Sequence, residues 1–222
     1  MRRADLLIHL NAEEAGEFRA LLPSSAHALL YPAVPPAPTG PGGEDIVIVS
    51  SNNSANVESA IWFLREVAPA LDGLPIKIAG NVDGGVKARA GDLYARYRHW
   101  FLGRVDDPGK IYAGAKLVLL PTIDGHGLSI KTVEAMASGL PLVATTLALR
   151  GMGEEALRLE GVTIADRPQD FAVAVQRLAA VPALRPQERE SSATRAFYAA
   201  QFSSQAYERN LLALVTPLLP KG

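Results

Sequence analysis

The chain has 222 residues, of which 48% are hydrophobic, enough for one α/β domain of ordinary size or one domain and part of another. Its 22 Lys and Arg nearly balance its 23 Asp and Glu, so no basic surplus favours nucleic acid. The absence of cysteine excludes a disulfide framework, a thiol nucleophile and a thiolate metal site. The four histidines are not spaced as metal ligands, and we expect no structural zinc.

Residues 1–31 contain one strand-like run and one short helical pattern, too little to bury a core of their own. The apolar run in "DLLIHL" is too short for a signal peptide or a membrane span, and it carries Asp5 and His9. We interpret this segment as the end of a domain whose beginning is missing. The expected location is the cytoplasm, including a peripheral position at the inner membrane face.

The stretch "YPAVPPAPTGPGG" (31–43) holds five prolines and three glycines, which block both a helix and a central strand. It predicts a linker at residues 32–43. From residue 44 to 182, short apolar runs alternate with helical patterns, as is typical of a doubly wound, Rossmann-like parallel sheet covered on both faces. The predicted strands are 45–51, 75–80, 99–105, 116–122, 140–145 and 161–165.

Helix signals follow the same order. After an Asn/Ser-rich start, apolar residues recur at helical spacing from Val57 until Pro69 limits the pattern. A later helix begins near Pro168, with Asp166 as its expected N-cap. Residues 183–222 form a C-terminal helical segment, in which we expect two helices broken around residues 202–204.

The most informative stretch is "LVLLPTIDGHGLSIKTVEAMASG" (117–139), in which a strand, a glycine-containing turn and a helix follow one another. Gly125 and Gly127 permit positive φ or a close approach to a ligand. Leu128 and Ser129 then supply amides at the positive end of the helix dipole, an arrangement that favours an anion such as phosphate.

Lys131 and Glu134 are three residues apart on this helix and share a face. A cation for phosphate and a carboxylate for hydroxyl groups would therefore line one groove. The same residues also fit an ordinary turn followed by an exposed ion pair, and the residues alone leave both interpretations open.

The stretch "GHGLSIKTVEAMASGLPLVATTLALRG" resembles the nucleotide-sugar motif of the retaining glycosyltransferases of family 4 (glycosyl transferases group 1). Other segments, such as "SANVESAIWFLREVAPAL" and "IYAGAKLVLLPT", fall in that family's order and spacing. The resemblance covers about residues 41–182. It implies the second Rossmann-like half of a two-domain GT-B fold, and residues 4–36 resemble the last strand and helix of the first half.

The resemblance assigns roles to individual residues. It implies that Glu134 holds the ribose hydroxyls and that the loop before it meets phosphate and sugar. The base is expected near the "GRV" turn. The residues so implicated are Gly125, His126, Gly127, Leu128, Ser129, Gly103, Arg104 and Val105.

Two departures from the family pattern affect these assignments. Ser51 and Asn56 stand where many members have an arginine and a lysine, so diphosphate neutralisation is expected to rest on Lys131 and the helix dipole. His126 stands where many members have an acidic residue. It is the one candidate catalytic residue, although a lone turn histidine is more often solvated. Arg104 and Arg150 follow strands on the site side and could contact phosphate, but a surface arginine is the commoner case.

The resemblance therefore implies the donor-binding half of a glycosyltransferase. This enzyme would move a sugar from a nucleoside diphosphate sugar to a saccharide or lipid-linked acceptor, with retention and without a metal or other cofactor. The expected partners are the nucleotide sugar, the acceptor and a missing N-terminal acceptor domain, without which the chain would bind but not turn over. The alternatives are a nucleotide-sugar epimerase-like GT-B enzyme and a non-catalytic ligand-binding module.

Overall fold

The computed structural model describes residues 4–219 and begins with a small N-terminal unit. In this unit β1 (Leu7–His9) and β2 (His27–Leu29) form a parallel two-stranded sheet joined by α1 (Ala12–Leu21). The sequence predicted the first strand and the helix but missed β2, whose three residues give no alternating pattern of burial. The unit is attached to the rest of the protein by a hydrogen bond from the Ala12 amide to the Gly151 carbonyl (3.0 Å).

A six-stranded parallel sheet forms the centre of the protein, which confirms the predicted Rossmann-like α/β fold. The strand order is β5-β4-β3-β6-β7-β8. All six predicted strands are present, each shorter than the apolar run that predicted it. They are β3 (Asp45–Val49), β4 (Ile76–Ala79), β5 (Phe101–Gly103), β6 (Ala115–Leu120), β7 (Leu142–Ala144) and β8 (Val162–Ile164).

Helices cover both faces of this sheet, and successive strand residues point into two separate cores. Ile46 and Ile48 of β3 join the core that contains Phe63 and Phe171, whereas Val47 joins the core that contains Met136. Every residue of β6 is buried, as expected for a central parallel strand. The helices are α2 (Ser54–Trp62), α3 (Val82–Arg89), α4 (Gly91–Arg96), α5 (Pro108–Ala113), α6 (Ile130–Ala137), α7 (Pro168–Ala179), α8 (Pro186–Glu190), α9 (Ala193–Gln201) and α10 (Ser204–Val215).

The proline-rich segment has no regular secondary structure, as its composition predicted, but it is packed rather than loose. Tyr31, Val34 and Ala37 are buried in the core on the α6 face of the sheet. The Tyr198 hydroxyl donates to the Val34 carbonyl (2.7 Å), and the Arg195 guanidinium donates to the Ala37 carbonyl (3.1 Å). The segment therefore joins the N-terminal unit to the sheet domain along a fixed path. The predicted domain boundaries on either side of this segment, at residues 31 and 44, stay a prediction.

Two local predictions were wrong. Asp166 does not cap α7, because its carboxylate accepts hydrogen bonds from the amide (2.7 Å) and hydroxyl (2.8 Å) of Thr146, and Arg167 occupies the N-cap position. The described part of the C-terminal segment contains three α-helices instead of two, although the predicted break around residues 202–204 is confirmed, since α9 ends at Gln201 and α10 begins at Ser204. Ser192 accepts a hydrogen bond from the Arg195 amide and so starts α9 as a new helix directly after α8.

Arg189 of α8 is fully buried and connects the C-terminal helices to the ends of α5 and α6. Its guanidinium donates to three backbone carbonyls, those of Ser138 (3.1 Å), Ala113 (3.2 Å) and Tyr112 (2.9 Å). Gly139 lies so close that a Cβ there would come within 2.2 Å of the Arg189 carbonyl oxygen. The position of α6 therefore depends on this contact.

We expect Arg189→Met to lower the free energy of unfolding by about 1–3 kcal/mol, because it leaves the buried Ser138 carbonyl unpaired, whereas the carbonyls of Ala113 and Tyr112 still accept from the amides of Gly42 and Gly114. Arg185→Met is the matched control. The Arg185 side chain is 77% exposed, and its loss should leave the free energy of unfolding almost unchanged. Urea denaturation measures both, and equal stability of the two variants would contradict the proposed role of Arg189.

Candidate functional site

The chain leaves β3 and β6 toward opposite edges of the sheet, so a crevice forms beyond the carboxyl ends of these neighbouring strands. A cavity of about 390 Å³ lies there, and we call it the central cavity. It is lined by the end of β3, the start of α2, the start of α6 and one arginine. The lining residues are Val49, Ser50, Ser51, Asn53, Asn56, Leu128, Ser129, Ile130, Lys131, Glu134 and Arg150.

The N-terminus of α6 opens into the central cavity. Ser129 is its N-cap, and within residues 4–219 the amides of Ser129, Ile130 and Lys131 make no backbone hydrogen bond. Gly125 (φ 138°) and Gly127 (φ 64°) adopt the positive φ values that the sequence predicted. Unpaired amides and the helix dipole therefore face a space that can hold an anion.

Lys131 reaches across the cavity from α6 to α2. Its ammonium donates to the Asn56 side-chain oxygen (2.8 Å). The side-chain Nδ2 of Asn56 in turn donates to the backbone carbonyl (3.1 Å) and the hydroxyl (3.0 Å) of Ser51. Burial, and then the positive charge of Arg150, lower the pKa of Lys131 to about 8. The ammonium thus carries its charge in a site that disfavours charge.

Arg150 is a second cation at the same cavity. The sequence favoured a surface arginine there, but the side chain is partly buried, its Nε has no hydrogen-bond partner among the described residues, and burial lowers its pKa. A Cβ at Gly125 would lie 2.8 Å from the Arg150 Nη2, so Gly125 gives room for this arginine. The position of Arg150 shortly after a strand on the site side was the only sequence signal for it.

Glu134 also lines the central cavity, one turn further along α6, and burial raises the pKa of its carboxyl group. Within the described residues its carboxylate forms neither a hydrogen bond nor an ion pair with Lys131. The interpretation of these two residues as an exposed ion pair therefore does not describe the structure. Among the described residues, Glu134 therefore presents acceptor oxygens without hydrogen-bond partners to the central cavity.

The predicted "GRV" turn lies next to the central cavity. Gly103 has φ 71° and accepts a hydrogen bond from the Gly80 amide (2.8 Å). Arg104 and Val105 line a smaller cavity of about 210 Å³, the side cavity, which shares Ser50, Ser51 and Val49 with the central cavity. His126 is exposed and lines neither cavity.

Two further features concern residues 4–219 only. No cluster of three or more His, Asp or Glu side chains in this part of the chain is placed to hold a metal ion. No helix among these residues has both the length and the apolar character needed to cross a bilayer.

A family model described as glycosyl transferases group 1 matches residues 43–180. The chain belongs to this family. A phosphatidyl-myo-inositol mannosyltransferase from Mycobacterium leprae is 39% identical over 87 residues, which cover 38% of this chain and 23% of that enzyme. This chain therefore matches less than a quarter of the length of that relative.

Solved glycosyltransferase structures share the fold. A glycosyltransferase from Rickettsia africae superimposes with a TM-score of 0.67 at 13% identity and covers 97% of this chain and 64% of its own. The pneumococcal O-GlcNAc transferase GtfA, solved with UDP and GlcNAc, gives a TM-score of 0.64 at 13% identity, with 98% and 46% covered. The sheet domain is thus one half of a GT-B fold.

The contact between Lys131 and Asn56 bears on an expectation from the sequence. The resemblance implies a lysine at position 56 and an arginine at position 51, where this chain has Asn56 and Ser51. In this chain the Lys131 ammonium lies 2.8 Å from the Asn56 side chain, so the positive charge reaches the same region from α6 instead of α2. Arg150 supplies a second charge from the segment after β7.

We expect Lys131→Met to change how the stability of the ligand-free protein depends on pH. The pKa of Lys131 in the folded protein, about 8, lies below its value in the unfolded chain. Between these two pH values the unfolded state binds more protons, so the wild type gains stability as pH rises. The Met variant lacks this gain. Urea denaturation at pH 7 and pH 10 should show that the free energy of unfolding rises more for the wild type than for the variant. An equal change in both proteins would contradict the shifted pKa.

Proposed function

We propose that the protein is the donor-binding part of a glycosyltransferase and that the central cavity binds the diphosphate of a nucleoside diphosphate sugar. The observation that carries this proposal is the meeting of two cations and the free amides of α6 in one cavity. Burial, and then the charge of Arg150, disfavour the charged form of Lys131 in the absence of a ligand. A diphosphate dianion would offset both charges and accept hydrogen bonds from the amides.

The remaining parts of the nucleotide find matching groups next to this anion site. Glu134 has free acceptor oxygens for the ribose hydroxyls, and the side cavity near Arg104 and Val105 adjoins the central cavity at the end of β3. The base would then lie in the side cavity and the ribose between the two. We assign no catalytic role to His126, because it is exposed outside both cavities.

The leaving diphosphate gains negative charge as the glycosyl bond breaks. We propose that Lys131, Arg150 and the N-terminus of α6 stabilise this charge, so that no metal ion and no other cofactor is required. Preorganised cations and amides in a partly dry site are well suited to this task. Retention of the anomeric configuration is proposed on the resemblance to the retaining family.

The acceptor is proposed to be a saccharide or a lipid-linked molecule, in line with the relative that is a phosphatidyl-myo-inositol mannosyltransferase. The N-terminal unit supports the proposal that a separate acceptor domain takes part. It exposes apolar side chains on β1, α1 and the residues beside them, namely Ile8, Leu10, Phe18, Leu21 and Leu22. A covering domain would bury this surface, and the glycosyltransferase chains of similar fold are longer than this one.

Two other functions have less support. An epimerase-like enzyme needs acid and base groups at the sugar, whereas the central cavity has one carboxylate, Glu134, in a position suited to ribose. A non-catalytic module would need no pair of cations at the leaving group. We therefore favour the transferase.

We expect a nucleoside diphosphate to stabilise the protein in the presence of EDTA. Ligand at 100 times its dissociation constant should add about 2.7 kcal/mol to the free energy of unfolding. Thermal melts with UDP, GDP and ADP, and with the corresponding nucleosides as controls, measure this effect. A folded protein that no nucleoside diphosphate stabilises at millimolar concentration would exclude the proposed donor site.

We expect Glu134→Ala to weaken nucleoside diphosphate binding by about tenfold or more, because a hydrogen bond to a charged group contributes roughly 1.5–3 kcal/mol. Glu134→Gln keeps the shape of the side chain and one acceptor oxygen. Its affinity should therefore lie between those of the wild type and Glu134→Ala. The 2′,3′-dideoxy nucleotide is the control, since it has no hydroxyls to lose and should bind both proteins about equally. Calorimetry measures the six affinities of the three proteins for the two nucleotides, and the ribose assignment is wrong if the dideoxy analogue loses as much affinity as the ribonucleotide.

A further inference from the structure

The start of α6 carries a serine at the N-cap position whose side chain does not cap the helix. Ser192 and Ser203, the N-caps of α9 and α10, each accept a hydrogen bond from an amide in the first turn of their helix. Ser129 accepts no such bond, although it is the N-cap of α6. A capping oxygen normally occupies one of the first amides of a helix, so at α6 this amide is left for another acceptor.

Thr132, at the third position of α6, explains the orientation of this serine. Its side chain is fully buried, and its hydroxyl donates to the Ala148 carbonyl (2.6 Å). The same oxygen lies 2.9 Å from the Ser129 Oγ, which is a hydrogen-bond distance. Ser129 itself is 3% exposed, so water has little access to its hydroxyl. The contact with Thr132 therefore holds Ser129 in a rotamer that makes no bond to the Lys131 amide.

The orientation of Ser129 depends on this one contact. Among the described residues, Thr132 provides the only side-chain hydrogen bond of Ser129. A buried hydroxyl without a partner is unfavourable, so loss of the Thr132 hydroxyl would turn Ser129 toward the nearest donor. That donor is the Lys131 amide, which an N-cap serine ordinarily binds. An amide carries one proton, and a capped amide cannot also donate to a phosphate oxygen.

We propose that Thr132 is a positioning residue, which holds the Ser129 hydroxyl away from the first amides of α6 and so keeps them available to a diphosphate. This inference rests on the proposed function, because these amides belong to the diphosphate site proposed above. Thr132 does not line the central cavity and acts through Ser129, which does. A buried hydroxyl thus sets the number of donors that the anion meets.

The test compares the wild type with Thr132→Val, which has nearly the same shape but lacks the hydroxyl. Calorimetry with a nucleoside diphosphate and with inorganic pyrophosphate should show about fivefold weaker binding of both, because each ligand must displace a helix cap. Thr132→Ser keeps the hydroxyl and should restore both affinities. Thr194→Val is the matched control, since Thr194 is buried in the first turn of α9 and lies outside the central cavity. It should leave both affinities unchanged.

A double-variant cycle tests the route through Ser129. In a protein that already carries Ser129→Ala, no hydroxyl can cap the helix, and adding Thr132→Val should change both affinities by less than about twofold.

Amide hydrogen exchange of the ligand-free protein gives a direct readout of the cap. The Lys131 amide should exchange about fivefold more slowly in Thr132→Val than in the wild type, because it gains an acceptor. In the double variant it should not slow. A merely structural loss of packing would speed this exchange instead.

The inference is overturned if Thr132→Val binds both ligands as the wild type does, if Thr132→Ser or Thr194→Val is equally weak, or if the loss persists in the Ser129→Ala background. Exchange of the Lys131 amide that does not slow also overturns it. Thr132→Ala lacks the hydroxyl too, and it replaces Thr132→Val if circular dichroism shows that the valine variant is unfolded. A wild type that binds neither ligand would contradict the proposed function instead, and the exchange of the Lys131 amide would still decide the role of Thr132.

Discussion

Two positive charges held together in a partly dry cavity are the constraint on which this account depends. Lys131 and Arg150 come from different elements, and their repulsion adds to the cost of burial, so the pKa of Lys131 falls to about 8. A protein gains no stability from such an arrangement in the absence of a ligand. The arrangement becomes favourable when an anion with two charges lies between the cations and the free amides of α6.

The fold brings these groups together although they are far apart in the chain. The strand order places β3 beside β6, so the segments that follow them meet at one edge of the sheet. Behind them, the buried Arg189 ties the far end of α6, at the Ser138 carbonyl, to the Tyr112 and Ala113 carbonyls of α5. The helix that carries Lys131 and Glu134 is therefore anchored to its neighbour.

The sequence predicted the sheet and the positive φ of Gly125 and Gly127 because both depend on local patterns. The anion site at these residues stays a prediction. The sequence predicted less well what depends on distant contacts. The capping role assigned to Asp166 was wrong because Thr146, twenty residues earlier, binds that carboxylate. The burial of Arg150 and its nearness to Gly125 follow from packing of the loop after β6, which no local pattern encodes.

The most direct test of the paired-cation site is the uptake of protons on nucleotide binding. Burial and Arg150 lower the pKa of Lys131 to about 8, so at pH 8.5 a diphosphate that restores the charge of this group should draw in a fraction of a proton per site. Calorimetry in buffers of different ionisation enthalpy measures this number. We predict uptake by the wild type and almost none by Lys131→Arg, whose guanidinium stays charged. No uptake by the wild type, or equal uptake by both proteins, would contradict the account.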